Sequence, residues 1–139
     1  MLRVILLVII LFLNGCAAVT KQTVKPFESD VSEVCIIENP KVRESFLQVY
    51  RDALTQKGYV VKMLNEHSDI SDCSVTTTYL ARWRWDLALY MSYVSIEVYK
   101  NGEKSGDASY KIVKEGATGK FIDAEEKIKE LVDQLFPKQ

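Results

Sequence analysis

The sequence lacks most of the patterns that identify metal-binding or catalytic proteins. It contains one histidine, His67, and no closely spaced histidines or cysteines of the kind that bind zinc. It has no GxSxG motif, and Gly116-Ala-Thr-Gly119-Lys120 has two residues between its glycines where a phosphate-binding loop has four. We therefore expect no metal ion and no cofactor, and we identify no catalytic residue.

An excess of positive charge and a long hydrophobic run are also missing. The 18 lysines and arginines are balanced by 19 aspartates and glutamates, so we expect no nucleic-acid partner. The longest apolar run, Val4–Leu13, has ten residues, whereas a permanent transmembrane helix needs about 20. A run of this length after the positively charged start Met1-Leu2-Arg3 is typical of a signal peptide.

The residues after this run resemble the lipobox of bacterial lipoproteins. Leu13-Asn14-Gly15-Cys16 places a small residue before a cysteine, as cleavage by the lipoprotein signal peptidase and attachment of diacylglycerol require. The resemblance implies a signal peptide over residues 1–15 and an acylated Cys16 that anchors the mature chain in a membrane. The alternative is an uncleaved signal anchor with an unmodified cysteine.

The residues after Cys16 give the expected location and the start of the folded domain. By resemblance to the sorting signals of envelope lipoproteins, Ala17 rather than aspartate implies transport to the outer membrane, with the protein facing the periplasm. Residues 16–32 are mostly polar and are predicted to form the lipidated end and a flexible tether. A single domain is then predicted over residues 33–139, which are enough for one hydrophobic core.

Two cysteines, Cys35 and Cys73, fall within this domain. The oxidising periplasm favours a disulfide between them, and both lie in strand-like sequence that a sheet is able to bring together. Two separate buried thiols are the alternative.

Hydrophobic periodicity predicts five strands and two helices. Asn39-Pro40 is predicted to begin the first helix and Gly58 to end it, while Asp123 caps the second and Pro137 stops it. Asn101-Gly102 predicts a type I′ hairpin turn. The predicted strands lie at residues 34–37, 59–64, 73–85, 87–99 and 105–114. The order β-α-β-β-β-β-α predicts an α+β two-layer sandwich, with both helices on one face of a largely antiparallel sheet.

The segment from Ala81 to Tyr93 concentrates both tryptophans and two arginines. If the strand alternation holds, Trp83 and Trp85 lie beneath the helices, and Arg82 and Arg84 lie on the uncovered face. The alternative is that the aromatic rings themselves bind a glycan or an anionic partner by stacking. The candidate partner surface is the uncovered face with Arg82, Arg84, Asp86 and Tyr90.

The chain as a whole resembles a family of small outer-membrane-type lipoproteins of proteobacteria. The segments that carry the resemblance are the lipobox, Val34-Cys-Ile-Ile-Glu-Asn-Pro40, Gly58-Tyr-Val60, Cys73, Tyr79-Leu-Ala-Arg-Trp-Arg-Trp-Asp-Leu-Ala-Leu-Tyr-Met91 and Leu135-Phe-Pro137. The resemblance supports the envelope location and the pairing of the two cysteines, and it implies no catalytic residues.

The function predicted from the sequence is that of a lipid-anchored, non-catalytic binding or assembly module in the periplasm. Its expected partners are the membrane and an envelope protein or polymer. An envelope hydrolase with His67 in a cleft, and an accessory subunit of a secretion or transport assembly, are the alternatives. The sequence leaves the oligomeric state open.

Overall fold

A computed structural model describes residues 16–28 and 30–139, so the predicted signal peptide over residues 1–15 lies outside the described residues. The described chain folds into one six-stranded sheet and two helices. The strands are β1 (Val19–Lys25), β2 (Glu33–Ile37), β3 (Val60–Leu64), β4 (Val75–Asp86), β5 (Ala88–Lys100) and β6 (Glu103–Lys114), and the helices are α1 (Glu44–Gln56) and α2 (Ala124–Leu135).

The strand order in the sheet is β1-β6-β5-β4-β2-β3. Strands β4, β5, β6 and β1 form an antiparallel block, while β2 runs parallel to both of its neighbours, β4 and β3. The fold is therefore the α+β two-layer sandwich that the element order predicted, with a mostly antiparallel open sheet.

Both helices pack on the same face of the sheet. Helix α1 buries Phe46, Leu47, Tyr50, Ala53 and Leu54, and α2 buries the predicted stripe of Ile128, Leu131, Val132 and Leu135. Tyr50 anchors α1 to β4, because its hydroxyl lies 2.7 Å from Thr77 Oγ1, which itself donates to the Glu97 carbonyl. The tyrosine hydroxyl is therefore the donor. The opposite face of the sheet carries no helix among the described elements.

Helix α1 ends as predicted but begins later. Its end is a Schellman motif, in which Gly58, at a φ of 98°, donates to Thr55 and Tyr59 donates to Leu54. The predicted start at Asn39-Pro40 is wrong, and the helix begins at Glu44. The side chain of Asn39 instead accepts from the Lys41 amide and donates to the Tyr79 carbonyl, which holds residues 39–42 in a turn against β4.

The prediction of a flexible tether over residues 16–32 is wrong for its central part. Residues 19–25 form β1, which pairs with β6 over the full length of the strand, from Val19 opposite Lys114 to Lys25 opposite Asp107. Phe27 then enters the core and its ring meets that of Phe136 edge-on at 6.0 Å. The sheet thus begins 14 residues before the predicted domain boundary at residue 33.

The structure confirms two local predictions. Asn101 and Gly102 have φ angles of 51° and 80°, the positive values that a type I′ turn between β5 and β6 requires. Cys35 and Cys73 form a disulfide that ties β2 to the segment preceding β4, with their Cα atoms 6.3 Å apart. The disulfide closes a loop across α1 and β3.

Removal of this disulfide by the pair Cys35→Ala and Cys73→Ala is expected to lower the free energy of unfolding. The sequence separation of 38 corresponds to about 4 kcal/mol in the chain-entropy treatment. Urea unfolding of the mature chain with and without reductant measures the loss. Cys16→Ser serves as the matched control and should not change the stability; an unchanged midpoint in the double variant would contradict the prediction.

Candidate functional site

Strands β4 and β5 extend together beyond the rest of the sheet. Strand β5 pairs with β6 only from Tyr93 onward, whereas its pairing with β4 continues to Ala88 opposite Asp86. Residues 83–91 therefore form a two-stranded extension, which we call the distal ribbon. A β-bulge between Arg82 and Trp83 marks the point where it leaves the sheet.

The loop after β6, residues 115–121, braces one side of the distal ribbon. Glu115 accepts from Arg84 Nη1 at 2.6 Å and from the Tyr90 hydroxyl at 3.1 Å. Lys120 donates to Asp86, and its side chain is only 6% exposed. Two ion pairs and a phenol thus hold the loop, which we call the bracing loop, against the ribbon.

The electrostatics of this contact keep Lys120 and Tyr90 in their ordinary forms at neutral pH. The hydrogen bond to Asp86 raises the pKa of Lys120, so this side chain remains an ammonium. Burial raises the pKa of Tyr90, and the hydrogen bond and negative charge of Glu115 raise it further. Tyr90 therefore remains a phenol that donates to the carboxylate, which suits a structural contact.

The bracing loop also holds the start of the described chain. The Ala117 amide donates to the Cys16 carbonyl at 2.8 Å, and the Ala18 amide donates to the Thr118 carbonyl at 2.7 Å. A glycine is required at position 116, because a Cβ atom there would lie 2.5 Å from the Cys16 carbonyl oxygen. The predicted lipidation site thus lies beside the distal ribbon.

The structure separates the four residues of the candidate partner surface. Arg84, Asp86 and Tyr90 contact the bracing loop, whereas Arg82 lies over the ring of Tyr93 at 5.4 Å from its centroid. The ion-pair partner of Arg84 is Glu115 in the bracing loop. Arg82 alone of the four has no hydrogen bond to the bracing loop among the described residues.

Arg82 belongs to a row of side chains that crosses four strands. It pairs with Tyr93, Tyr93 with Lys111, and Lys111 with Lys21 in the registers of β4, β5, β6 and β1. We call these four residues the cationic row. Within residues 16–28 and 30–139, none of its three cations lies within 4.0 Å of a carboxylate oxygen.

The neighbouring row on the same face carries hydroxyl groups. Ser95 pairs with Ser109 and Ser109 with Thr23, and the hydroxyls of the latter two are 2.7 Å apart. Cations, an aromatic ring and hydroxyls on one surface are suited to an anionic or hydroxyl-rich partner. Sequence reasoning missed Lys21 and Lys111 because only the strand register places them beside Arg82.

The two tryptophans have different environments. Trp83 is half-buried and meets the Phe46 ring of α1 edge-on at 6.3 Å, with Arg43 stacked on it. The prediction that Trp85 lies beneath the helices is wrong, because its side chain is 72% exposed. The alternation itself continues, but no helix of the described chain extends over the ribbon at that position.

The remaining sequence candidates do not gather into a reactive cluster in the described part of the chain. His67 lies on the loop between β3 and β4 with its side chain 87% exposed, and the adjacent Glu66 carboxylate lies 3.6 Å from it. Glu33 lies near Cys35 and Cys73, but the two sulfurs are bonded to each other and are not available as metal-binding thiolates. Among the described residues, no helix combines the length and the apolar character needed to span a bilayer.

Comparison with known proteins identifies a shared fold. No protein-family model and no curated protein matches the chain. Solved structures that match include a single-residue variant of PelC, a dodecamer from Paraburkholderia phytofirmans, with a TM-score of 0.59 and 16% identity over 88% of this chain and 99% of that one. A second PelC dodecamer from the same organism has a TM-score of 0.57 and 17% identity, over 84% of this chain and 98% of that one. The likeness extends over nearly the whole PelC chain and shows a common α+β architecture.

Substitution Gly116→Ala is expected to release residues 16–18 from the bracing loop, because the new methyl group collides with their backbone. Hydrogen exchange of the Ala18 and Ala117 amides should become at least about fivefold faster, as expected for the loss of hydrogen bonds that contribute about 1 kcal/mol. Thr118→Ser, at an exposed neighbouring position, is the control. Equal exchange rates in both variants would show that the close approach is not required.

Proposed function

We propose that this protein is a lipid-anchored lipoprotein of the periplasm that binds an anionic envelope partner through the open face of its sheet. The observation that carries the proposal is the cationic row. It combines three positive charges that have no ion-pair partner in the described chain with an aromatic ring, on a surface that no described helix covers. The role is that of a non-catalytic binding or assembly module.

The anchor in this proposal comes from the sequence. The lipobox resemblance at Leu13-Asn14-Gly15-Cys16 and the disulfide between Cys35 and Cys73 both suit an oxidising, extracytoplasmic compartment. Cys16 is exposed, as a residue that carries acyl chains must be. With Ala17 next to it, the outer membrane is the destination that we propose.

The open face is suited to reversible binding rather than to catalysis. The arginine and lysines of the cationic row are exposed, and such side chains form hydrogen bonds with carboxylates or phosphates of a protein or polymer. The exposed position of His67 gives the alternative of a hydrolase no acid or base in a cleft at that residue.

The binding proposal is tested by photocrosslinking in the native host. A photoreactive residue at Thr23, beside the cationic row, should crosslink to an envelope component, whereas the same residue at Gln48 on α1 should not. Crosslinking from Gln48 alone would overturn the assignment of the binding face.

The double variant Arg82→Ala with Lys111→Ala then tests the charges. Crosslinking from Thr23 should fall at least about fivefold, since two exposed charge contacts contribute about 0.5 kcal/mol or more each. The melting temperature should stay within about 3 °C, because neither side chain has an ion-pair partner to lose among the described residues. Arg51→Ala with Lys129→Ala removes the same charge from α1 and α2 and should leave crosslinking unchanged; an equal loss in both double variants would contradict a specific role of the row.

We also propose that copies of this chain assemble with one another. The PelC chains of the same fold are dodecamers, and the described sheet of this protein ends in two unpaired edges, β1 and β3. Native mass spectrometry of the mature lipoprotein in detergent should show a mass that is a multiple of one chain. A monomer at all concentrations would restrict the proposal to binding of another molecule.

A further inference from the structure

The distal ribbon has an apolar side that nothing in the described chain covers. Trp85 and Leu89 are directly paired across the two strands, and Leu87 lies at the turn between them. The exposed fraction is 72% for Trp85, 45% for Leu89 and 89% for Leu87. The opposite side of the ribbon carries Arg84 and Asp86 and is occupied by the bracing loop, so the ribbon is amphipathic.

The backbone at the tip is strained to present this surface. Leu87 has a φ of 61°, a left-handed conformation that glycine or asparagine adopts readily and leucine does not. A strained leucine with nearly full exposure contributes nothing to the core. Its side chain is available for a contact outside the chain, and strain of this kind is typical of functional positions.

The position of Cys16 indicates what that contact is. The Cys16 carbonyl is hydrogen-bonded to Ala117, and three residues further along the same loop Lys120 binds Asp86 at the base of the tip. Three extended residues span about 10 Å. With the proposed anchor at Cys16, the membrane therefore lies at this end of the sheet.

We propose that the ribbon tip, Trp85, Leu87 and Leu89, inserts into the interfacial layer of the bilayer that holds Cys16. This inference rests on the proposed lipid anchor. Tryptophan is enriched at membrane interfaces because its ring is apolar and its N–H forms hydrogen bonds. Leu87 lies five residues beyond Arg82, or about 16 Å along a strand, so insertion of the tip leaves the cationic row in water near the membrane surface.

The two tryptophans of the chain provide a matched test. The mature lipoprotein is reconstituted in vesicles of phosphatidylethanolamine and phosphatidylglycerol, with or without phosphatidylcholine brominated on its acyl chains. In Trp83→Phe only Trp85 fluoresces, and bromination should reduce its emission about twofold, as expected for a ring within roughly 5–10 Å of the headgroup boundary. In Trp85→Phe only Trp83 fluoresces, and its emission should not change.

The outcomes separate this inference from the anchor on which it rests. Mass spectrometry of the same preparation reports whether Cys16 is acylated, and an unmodified Cys16 overturns the proposed anchor. Acylated Cys16 with Trp85 unaffected by bromination, whether water-exposed or shielded by another protein, overturns insertion of the tip and leaves the anchor in place.

A substitution at the tip separates membrane insertion from effects on folding. Leu87→Asn suits the left-handed backbone, so the melting temperature should stay equal or rise. In the Trp83→Phe background it should nevertheless abolish most of the quenching of Trp85. Quenching that persists in this variant would show that Leu87 does not drive insertion and would overturn its part in the proposal.

Discussion

The structure depends on one constraint, which is that the helices cover only one face of the sheet. Helices α1 and α2 carry apolar stripes that need a surface to bury them, and the face of the sheet that they cover becomes the core. No helix of the described chain lies on the other face, so its side chains must be compatible with water. This constraint favours the serines, threonines, lysines and arginines of the open face, and it also makes that face available to a partner.

A second constraint follows from the offset between the strands. Strands β4 and β5 are paired beyond the point where β6 leaves them, and a two-stranded ribbon is only marginally stable alone. The bracing loop supplies the missing contacts through Glu115 and the nearly buried Lys120. Because Gly116 lets residues 16–18 approach the same loop, the predicted anchor, the loop and the ribbon form one connected unit. Both proposals involve this end of the molecule. The ribbon tip is proposed to lie in the bilayer interface, and the cationic row in the water near the membrane surface.

Short sequence patterns predicted the parts of the fold whose stability depends on residues close together in the chain. The stripe of α2, the Gly58 cap and the Asn101-Gly102 turn each follow from the preferences of a few neighbouring residues. The pairing of Cys35 with Cys73 followed from compartment and number. Strand β1 was missed because an edge strand exposed to water carries the same polar residues as a tether, and only pairing with β6 distinguishes them.

The candidate site was predicted less well than the fold, and the sequence and the tertiary structure contribute different parts of it. The sequence by itself determined the described strands and helices other than β1, through the periodicities of strands and helices, and it is the source of the proposed anchor at Cys16. Alternation also placed Arg82 on the uncovered face. A strand pattern gives the side of the sheet on which a residue lies, but not how far the helices extend over that side. Trp85 is therefore exposed where the ribbon extends past α1. Only the tertiary structure decided that a loop binds Arg84 and that Lys111 joins Arg82 in the cationic row. Register and strand length depend on contacts between residues far apart in the chain, so no short-range pattern contains them.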